Sequence, residues 1–376
     1  MISYWEQTEL LRHDVAIVGG GIVGLSIAAS IKERYPNRDV TIFERSFLPY
    51  GASTRNAGFA CFGSLTEIMS DIKCMGEEAT RELVFSRWLG LQITRKRLSD
   101  RKIHYFEYGG FEIVPDGQHD LSKAINDINH LCSDFQPDYL SLLSNNDTTL
   151  NLGAGHTLVK MNGEGQLNPG ALMRNLSNYC QELGVMMVTG TEVSAINTHE
   201  GQFTLKVEDM DRGTVDCSAQ TAVVAVNAFT EQFNDGVGVV PGRGQILVTE
   251  PIVGLDFKGN LHLDEGFYYL RNIGDRILFG GGRNMDFSEE ATHTFGLNDK
   301  IQDALESKLQ DLFTFKRPPE IDFRWSGIMG FGEQKTPIVK VENSGLIFAA
   351  RLGGMGIALA GFIGEQVTDL IDSKGL

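Results

Sequence analysis

The segment Asp14-Val-Ala-Ile-Val-Gly19-Gly-Gly21-Ile22-Val23-Gly24-Leu-Ser-Ile-Ala-Ala constrains the fold more than any other part of the chain. An apolar strand runs into a glycine turn and an apolar helix, and a second strand, Val40-Thr-Ile-Phe43, ends on Glu44. Gly19 permits the tight exit from the strand, Gly21 lets the backbone approach a pyrophosphate, and Gly24 lets the helix pack closely on the sheet. The free N–H groups of Ile22 and Val23 open the helix and face the phosphates. Glu44 stands where a carboxylate accepts hydrogen bonds from both hydroxyls of an adenosine ribose, which disfavours a 2′-phosphate. Such a glycine pattern is weak alone in a chain with 43 glycines; the flanking strands, helix and terminal acid make it a dinucleotide site.

The chain, at 376 residues, has room for about two domains. Strand and helix alternate at the start, in the middle and at the end, with β-rich material between. The pattern predicts a discontinuous nucleotide-binding domain from residues 1–80, 150–235 and 335–376, and a substrate domain from 81–149 and 236–334. Helices are expected over Glu78 to Lys102, His119 to Cys132, Pro169 to Leu183, Asn298 to Phe313 and Ile357 to Ile371, and another from Asn227-Ala228. Proline in the first turn at Pro169 and glycine after the last at Gly184 punctuate the middle one. Strands are expected at Phe111 to Val114, Ala222 to Val226, through Val239 to Gly281, and at Gly345 to Ala349.

A net charge of −16 disfavours nucleic acid and anionic membrane as partners, since both select a basic surface. The apolar runs Val15 to Ile31 and Leu352 to Gly364 fall short of the roughly 20 residues of a membrane span and read as buried helices. Cys61, Cys74, Cys132, Cys180 and Cys217 are scattered without a CxxC pair, so neither a disulfide framework nor a zinc site is expected. The polar start, Met1 to Arg12, is unlike a secretory leader, and a cytoplasmic location is expected.

The loop Gly51-Ala-Ser53-Thr54-Arg55-Asn56-Ala57-Gly58 follows the second strand. Downstream come Leu167-Asn-Pro-Gly-Ala-Leu, a strand ending Val226-Asn227-Ala228, Pro241-Gly-Arg-Gly-Gln245, Trp325-Ser-Gly-Ile328 and Gly353-Gly354-Met355-Gly356. In this order the segments resemble the D-amino acid oxidase superfamily of flavoproteins along essentially the whole chain. The resemblance implies an α/β fold, with a discontinuous Rossmann-like FAD-binding domain plus a mixed-sheet α+β substrate domain. It implies FAD, with its adenine end at Glu44, and the loop Ser53 to Gly58 wrapping the pyrophosphate and flavin ring. Arg45, Val193, Asn227 and Ala228 join this set. The turn Gly353 to Gly356, with Ile357, places a second helix start near the flavin. With Thr54 where some relatives carry histidine, and no cysteine between Met329 and Lys335, non-covalent FAD is expected.

The implied chemistry is oxidation of the CH–NH bond of an amino acid or related amine by hydride transfer to flavin N5, with oxygen or a quinone as electron acceptor. Oxidation of a 2-hydroxy acid or polyol, and a flavin-binding protein without turnover, are the alternatives. The family's carboxylate clamps are absent: Met329 stands in place of an arginine and Ala358 in place of a lysine. Candidates for that part are Arg55, Arg243, Arg271, Arg283, Arg324 and Arg351, led by Arg55, with Arg271 and Arg351 next. Tyr268 or Tyr269 is a candidate pocket wall. His104, His156, His262 and His293 are isolated and carry no expected role. A reductase with a second nucleotide site is disfavoured, because Gly280-Gly-Gly-Arg283 runs into charges rather than an apolar helix.

Overall fold

The computed structural model describes residues 1–117, 120–143, 150 and 155–375. Its first sheet is built on Arg12–Val18, a strand whose Val15, Ala16 and Ile17 are fully buried and which therefore needs cover on both faces. This strand pairs in parallel with Val40–Glu44 on one side and Gly213–Val224 on the other. The sheet continues outward to Met186–Thr189 beyond the former, and to Ile347–Ala350 and Ile338–Val341 beyond the latter. The strands Val193–His199 and Gln202–Asp209 extend it through Gly213–Val224. One sheet thus draws on the start, middle and end of the sequence.

Helix Ile22–Arg34 lies against this sheet, buried from Ile22 to Lys32. A side chain at Gly24 would run into the carbonyl oxygen of Gly19, so the glycine sets the close approach. On its other flank runs the carboxy-terminal helix, Gly356–Lys374. A Cβ at Gly364 would stand 2.6 Å from the carbonyl oxygen of Ser26 and 2.7 Å from the Ser30 hydroxyl. Helix Glu77–Leu98 packs on the same helix through Gly90 and Gly361, each backbone against the other.

The second sheet has the order Ile321–Phe331, Val240–Thr249, Arg276–Gly281, Tyr268–Ile273, Asn260–Leu263, Gly110–Pro115, His156–Met161, Leu140–Leu143. Its pairs are antiparallel except Asn260–Leu263 with Gly110–Pro115. Helix Asp299–Leu312 covers one face, Ile301, Leu305 and Leu309 joining Leu247, Leu270 and Phe279 in a core. The opposite face carries Ile246, Val248, Leu278 and Tyr269, and meets Ala57 and Phe59 of the loop from the first half.

The helix expected from Pro169 spans Pro169–Glu182; the Asn168 side chain accepts from the Ala171 N–H, and Gly184 takes φ +84°. That expected over Asn298 to Phe313 spans Asp299–Leu312, with Asn298 as its cap. Of the helix expected over His119 to Cys132, Leu121–Leu131 is present, while His119 lies outside the described residues. At Asn227–Gln232 the expected helix is a short 3-10 turn. Two segments depart from the expected division. His156–Met161, placed in the 150–235 piece, joins the second sheet, because it supplies the antiparallel partner that Gly110–Pro115 lacks on that side. Helix Glu77–Leu98, most of it placed in the 81–149 piece, packs on the carboxy-terminal helix of the first half, its Val84, Leu91 and Leu98 sharing a core with Leu25 and Ile363. All five cysteines are free. Among the described residues no helix is long and apolar enough to cross a membrane.

Gly364→Val places branched carbon against the Ser26 carbonyl and is expected to lower stability by about 1–3 kcal/mol. Urea unfolding of the variant beside wild type measures this; an unchanged midpoint would show that the two helices move apart freely.

Candidate active site

The amino-terminal turn and its surroundings enclose a cleft lined by Gly19, Gly21, Glu44, Arg45, Ser53, Val193 and Ala228. Each was expected from the sequence to meet a cofactor. Gly19 sits at φ +109°, and a Cβ there would stand 2.6 Å from the Ala225 carbonyl oxygen, so only glycine fits. Glu44 is buried, one carboxylate oxygen accepting from Gly20 N–H at 2.9 Å and the other from Ser46 N–H at 3.0 Å. Each oxygen keeps a further lone pair for a hydroxyl. The Ser53 hydroxyl accepts from Ile22 N–H at 2.9 Å and keeps its own proton to donate at the helix start. Val23 is buried within the first helical turn. Aromatic rings complete the cleft: Tyr50, Phe229 and Phe233 line it, with the Arg45 guanidinium 4.1 Å from the centre of the Phe229 ring. Sequence reasoning missed these rings, although Tyr50 directly precedes the Gly51 loop and Phe229 follows Ala228.

Two helix starts converge here. The second is prepared by Gly353 and Gly354, at φ +55° and +87°, and by Met355 as the cap of Gly356–Lys374. A Cβ at Gly356 would lie 3.8 Å from the Ile22 side chain, and Ile357 is buried behind it. The positive ends of both helices therefore face one region, which suits an anionic cofactor. The loop between is self-capped: Asn56 donates to the Ala52 and Ser53 carbonyls and accepts from Gly58 N–H, and Thr54 is exposed and donates to Pro49.

Beyond this loop, two carboxylates hold the following turn. Glu164 accepts from the N–H groups of Phe62 and Gly63 and from the Tyr139 hydroxyl. Glu112 accepts from the Ser64 hydroxyl and the Thr66 N–H, at the start of helix Leu65–Met75. Burial pushes the Glu164 carboxyl up to about 7, against the three donors that favour its ionised form.

The strand Tyr268–Ile273 divides its candidates by alternation. Tyr268 turns into the core under helix Asp299–Leu312, against Phe279, so it is no pocket wall. Tyr269 and Arg271 emerge on the opposite face, toward the loop. The Tyr269 ring lies across Gly280, where a Cβ would meet it at 2.5 Å, and its hydroxyl comes within 3.7 Å of the Gly244 Cβ position. Met329 reaches the same glycine with its methyl, and its sulfur lies 3.4 Å from the Gly354 Cβ position. Burial pushes the Tyr269 hydroxyl up to about 12.

The candidate arginines separate. Arg271 is buried and donates to the Ala57 carbonyl; burial lowers its pKa to about 10, and it braces the loop. Arg55 donates to the Ser326 carbonyl and lies 4.2 Å from the centre of the Tyr50 ring and 4.7 Å from that of Phe295, so its guanidinium is occupied by groups of the fold. Arg351 takes φ +61° and gives its side chain to Thr336, while its N–H donates to the Asn227 side chain. Asn227, expected beside the cofactor, thus spends its side chain tying two strand ends together. Arg243 pairs with Glu290, and Arg324 with Glu306.

Gly280 and Gly281 at the end of strand Arg276–Gly281, with Gly282 after it, lead into a 3-10 turn, Arg283–Met285, rather than a nucleotide-binding helix. Residues 14–370 match the family DAO, FAD dependent oxidoreductase, and the chain belongs to it. The chain is similar to the probable oxidoreductase OrdL of Haemophilus influenzae, 23% identical over 383 residues that cover 97% of this chain and 84% of the relative. It is 25% identical to the glycine oxidase of Geobacillus kaustophilus over 391 residues, 96% of this chain and 94% of the relative. The L-proline dehydrogenase from P. horikoshii has the same fold, with a TM-score of 0.79 at 17% identity, covering 96% of this chain and 94% of that one. The protein is an FAD-dependent oxidoreductase, and the Glu44 carboxylate, the Ser53 hydroxyl and the two helix starts are groups suited to the ribose and phosphates of such a cofactor.

Glu44→Gln replaces an acceptor oxygen with a donor, and FAD is expected to bind roughly 10- to 100-fold more weakly. Fluorescence titration of the apoprotein reads this, and equal affinity would remove Glu44 from the ribose site. For Glu164 the folded protein keeps a proton that the unfolded chain releases near 4.5, so stability declines as pH rises from about 4.5 to about 7, then levels. Glu164→Gln is expected to flatten that decline, as measured by thermal midpoints from pH 4 to pH 8.

Proposed function

We propose that this chain oxidises the CH–NH bond of an amino acid or related amine, with non-covalent FAD as the immediate acceptor and oxygen or a quinone beyond it. The observation that carries this reading is the floor formed by Met329, Gly244, Gly280 and Tyr269, facing the Gly353–Gly356 turn. When bound, FAD supplies the two-electron acceptor. The residues of the floor contribute shape and orientation. Gly244 and Gly280 leave room for Tyr269 to lie flat, and its hydroxyl stays protonated at neutral pH while donating or accepting a hydrogen bond.

Proton abstraction has little support from this surface. His262, paired with Tyr269 across the ladder, is pushed down to about 4 by burial, partly opposed by Glu67, and packs edge-on to Phe59. A floor that positions a neutral amine without an ionised base suits departure of hydrogen with its electron pair, after which the imine hydrolyses in water. Glycine oxidase among the relatives supports an amine nitrogen over a hydroxyl as the flank of the oxidised carbon. Non-covalent attachment is supported by Thr54 and by Cys61, whose sulfur lies 4.0 Å from that of Met355 but whose thiol burial holds protonated.

Anaerobic titration of the yellow holoprotein with amines, amino acids, 2-hydroxy acids and polyols is the test. Bleaching of the flavin band by amines or amino acids, and its absence with hydroxy compounds, is expected. Bleaching by hydroxy compounds alone would overturn the reading.

A further inference from the structure

Among the six candidate arginines, five have hydrogen-bond acceptors in the fold. Arg243 and Arg324 reach carboxylates, and Arg55, Arg271 and Arg351 reach backbone carbonyls. The Arg283 side chain has neither among the described residues. Two rings hold it instead: its guanidinium lies 4.0 Å from the centre of Phe331 and 4.8 Å from that of Phe287. Half-buried between the two rings, the guanidinium donates to no protein acceptor among the described residues.

Its position follows from the ladder. Gly242 pairs with Met329 across the two strands, and a Cβ at Gly242 would stand 3.1 Å from an Arg283 terminal nitrogen, with the Phe331 ring over the same glycine. Two residues on, Gly244 carries the Met329 methyl and the Tyr269 hydroxyl on that same face. Same-face neighbours on a strand are about 7 Å apart. The guanidinium that is missing at position 329 therefore arrives from the turn after Arg276–Gly281, one step along the strand from the floor.

We propose that Arg283 is the substrate-anion anchor of this enzyme, and that the amine it oxidises carries a carboxylate. The inference rests on the amine-oxidising reading and narrows it from amines in general to amino-acid-like substrates. The aromatic clamp pre-orients the guanidinium fork, so a carboxylate gains two parallel N–H bonds with little ordering cost. Without ligand, the half-buried cation lowers stability, because burial disfavours its charge and only Glu290, already paired with Arg243, acts against this.

The test titrates acetate and benzoate, beside the neutral acetamide and benzamide, into holoprotein and reads the flavin difference spectrum without turnover. Carboxylates are expected to perturb the wild-type spectrum saturably and the amides not. Arg283→Met should weaken carboxylate binding by roughly 10- to 100-fold, Arg283→Lys should recover part of it, and FAD affinity should hold in both. The thermal midpoint of Arg283→Met should change little, since no hydrogen bond or ion pair of the fold is lost and methionine can still pack against Phe287 and Phe331. Equal carboxylate affinity in wild type and Arg283→Met, a wild type that ignores carboxylates, or a matching loss of FAD would overturn the proposal. Bleaching assays stand apart: a holoprotein that binds carboxylates through Arg283 but is reduced by no amine would retire the amine reading and leave the anion site.

Discussion

The close contact of three backbones around helix Ile22–Arg34 is what the remaining structure depends on. Gly24 brings the helix onto the Gly19 turn, and Gly364 brings the carboxy-terminal helix onto Ser26 and Ser30. The Ser30 hydroxyl then donates to Glu365, and Arg97 from helix Glu77–Leu98 reaches Ser30, Glu33 and Glu365. Because the helices touch through backbone, their first turns are fixed relative to each other as well as to the sheet. A binding region defined by two helix starts demands this, since a dipole's effect fades within a turn.

Much of the first half was legible in the sequence because each of its signals is local. The glycine turn, Glu44, the Asn168-Pro169 start and the Gly353 to Gly356 turn carry their meaning in a few consecutive residues. The second half was less legible, because its logic runs across strands. Nothing near Arg283 in sequence places it beside Met329; that proximity arises only when Val240–Thr249 pairs with Ile321–Phe331. Tyr268 and Tyr269 are adjacent and chemically alike, and only strand alternation sends one to the core and the other to the floor. Arg55 led the candidate list from its place in the loop, yet Tyr50, Phe295 and the Ser326 carbonyl, two of them remote in sequence, hold it elsewhere.

The two halves also handle charge differently. Around the loop, buried carboxylates serve the backbone: Glu164 and Glu112 accept N–H and hydroxyl donors that the turn cannot satisfy internally. Beside the sheet floor, the nearby carboxylates are taken up by other cations, Glu67 by Arg87 and Glu290 by Arg243. A protein with net charge −16 must place its acids deliberately to leave Arg283 without one, and Glu290 is neutralised by Arg243 on the neighbouring strand position. The loop is thereby fixed by groups that need no ligand, while beside the floor Arg283 has neither a carboxylate nor a carbonyl acceptor among the described residues.

The interleaving of the first sheet bears on how the chain reaches this state. Helix Ile22–Arg34 is buried nearly all round, yet the helix that covers its flank is synthesised roughly three hundred residues later. Until then an apolar helix stands open, and the strand Arg12–Val18 lacks the partner Gly213–Val224. During translation the nascent chain therefore exposes aggregation-prone surface for most of its length, with long loops to close before its first core is sealed. Its yield in a cell depends on what shields that helix from other chains before the last helix emerges.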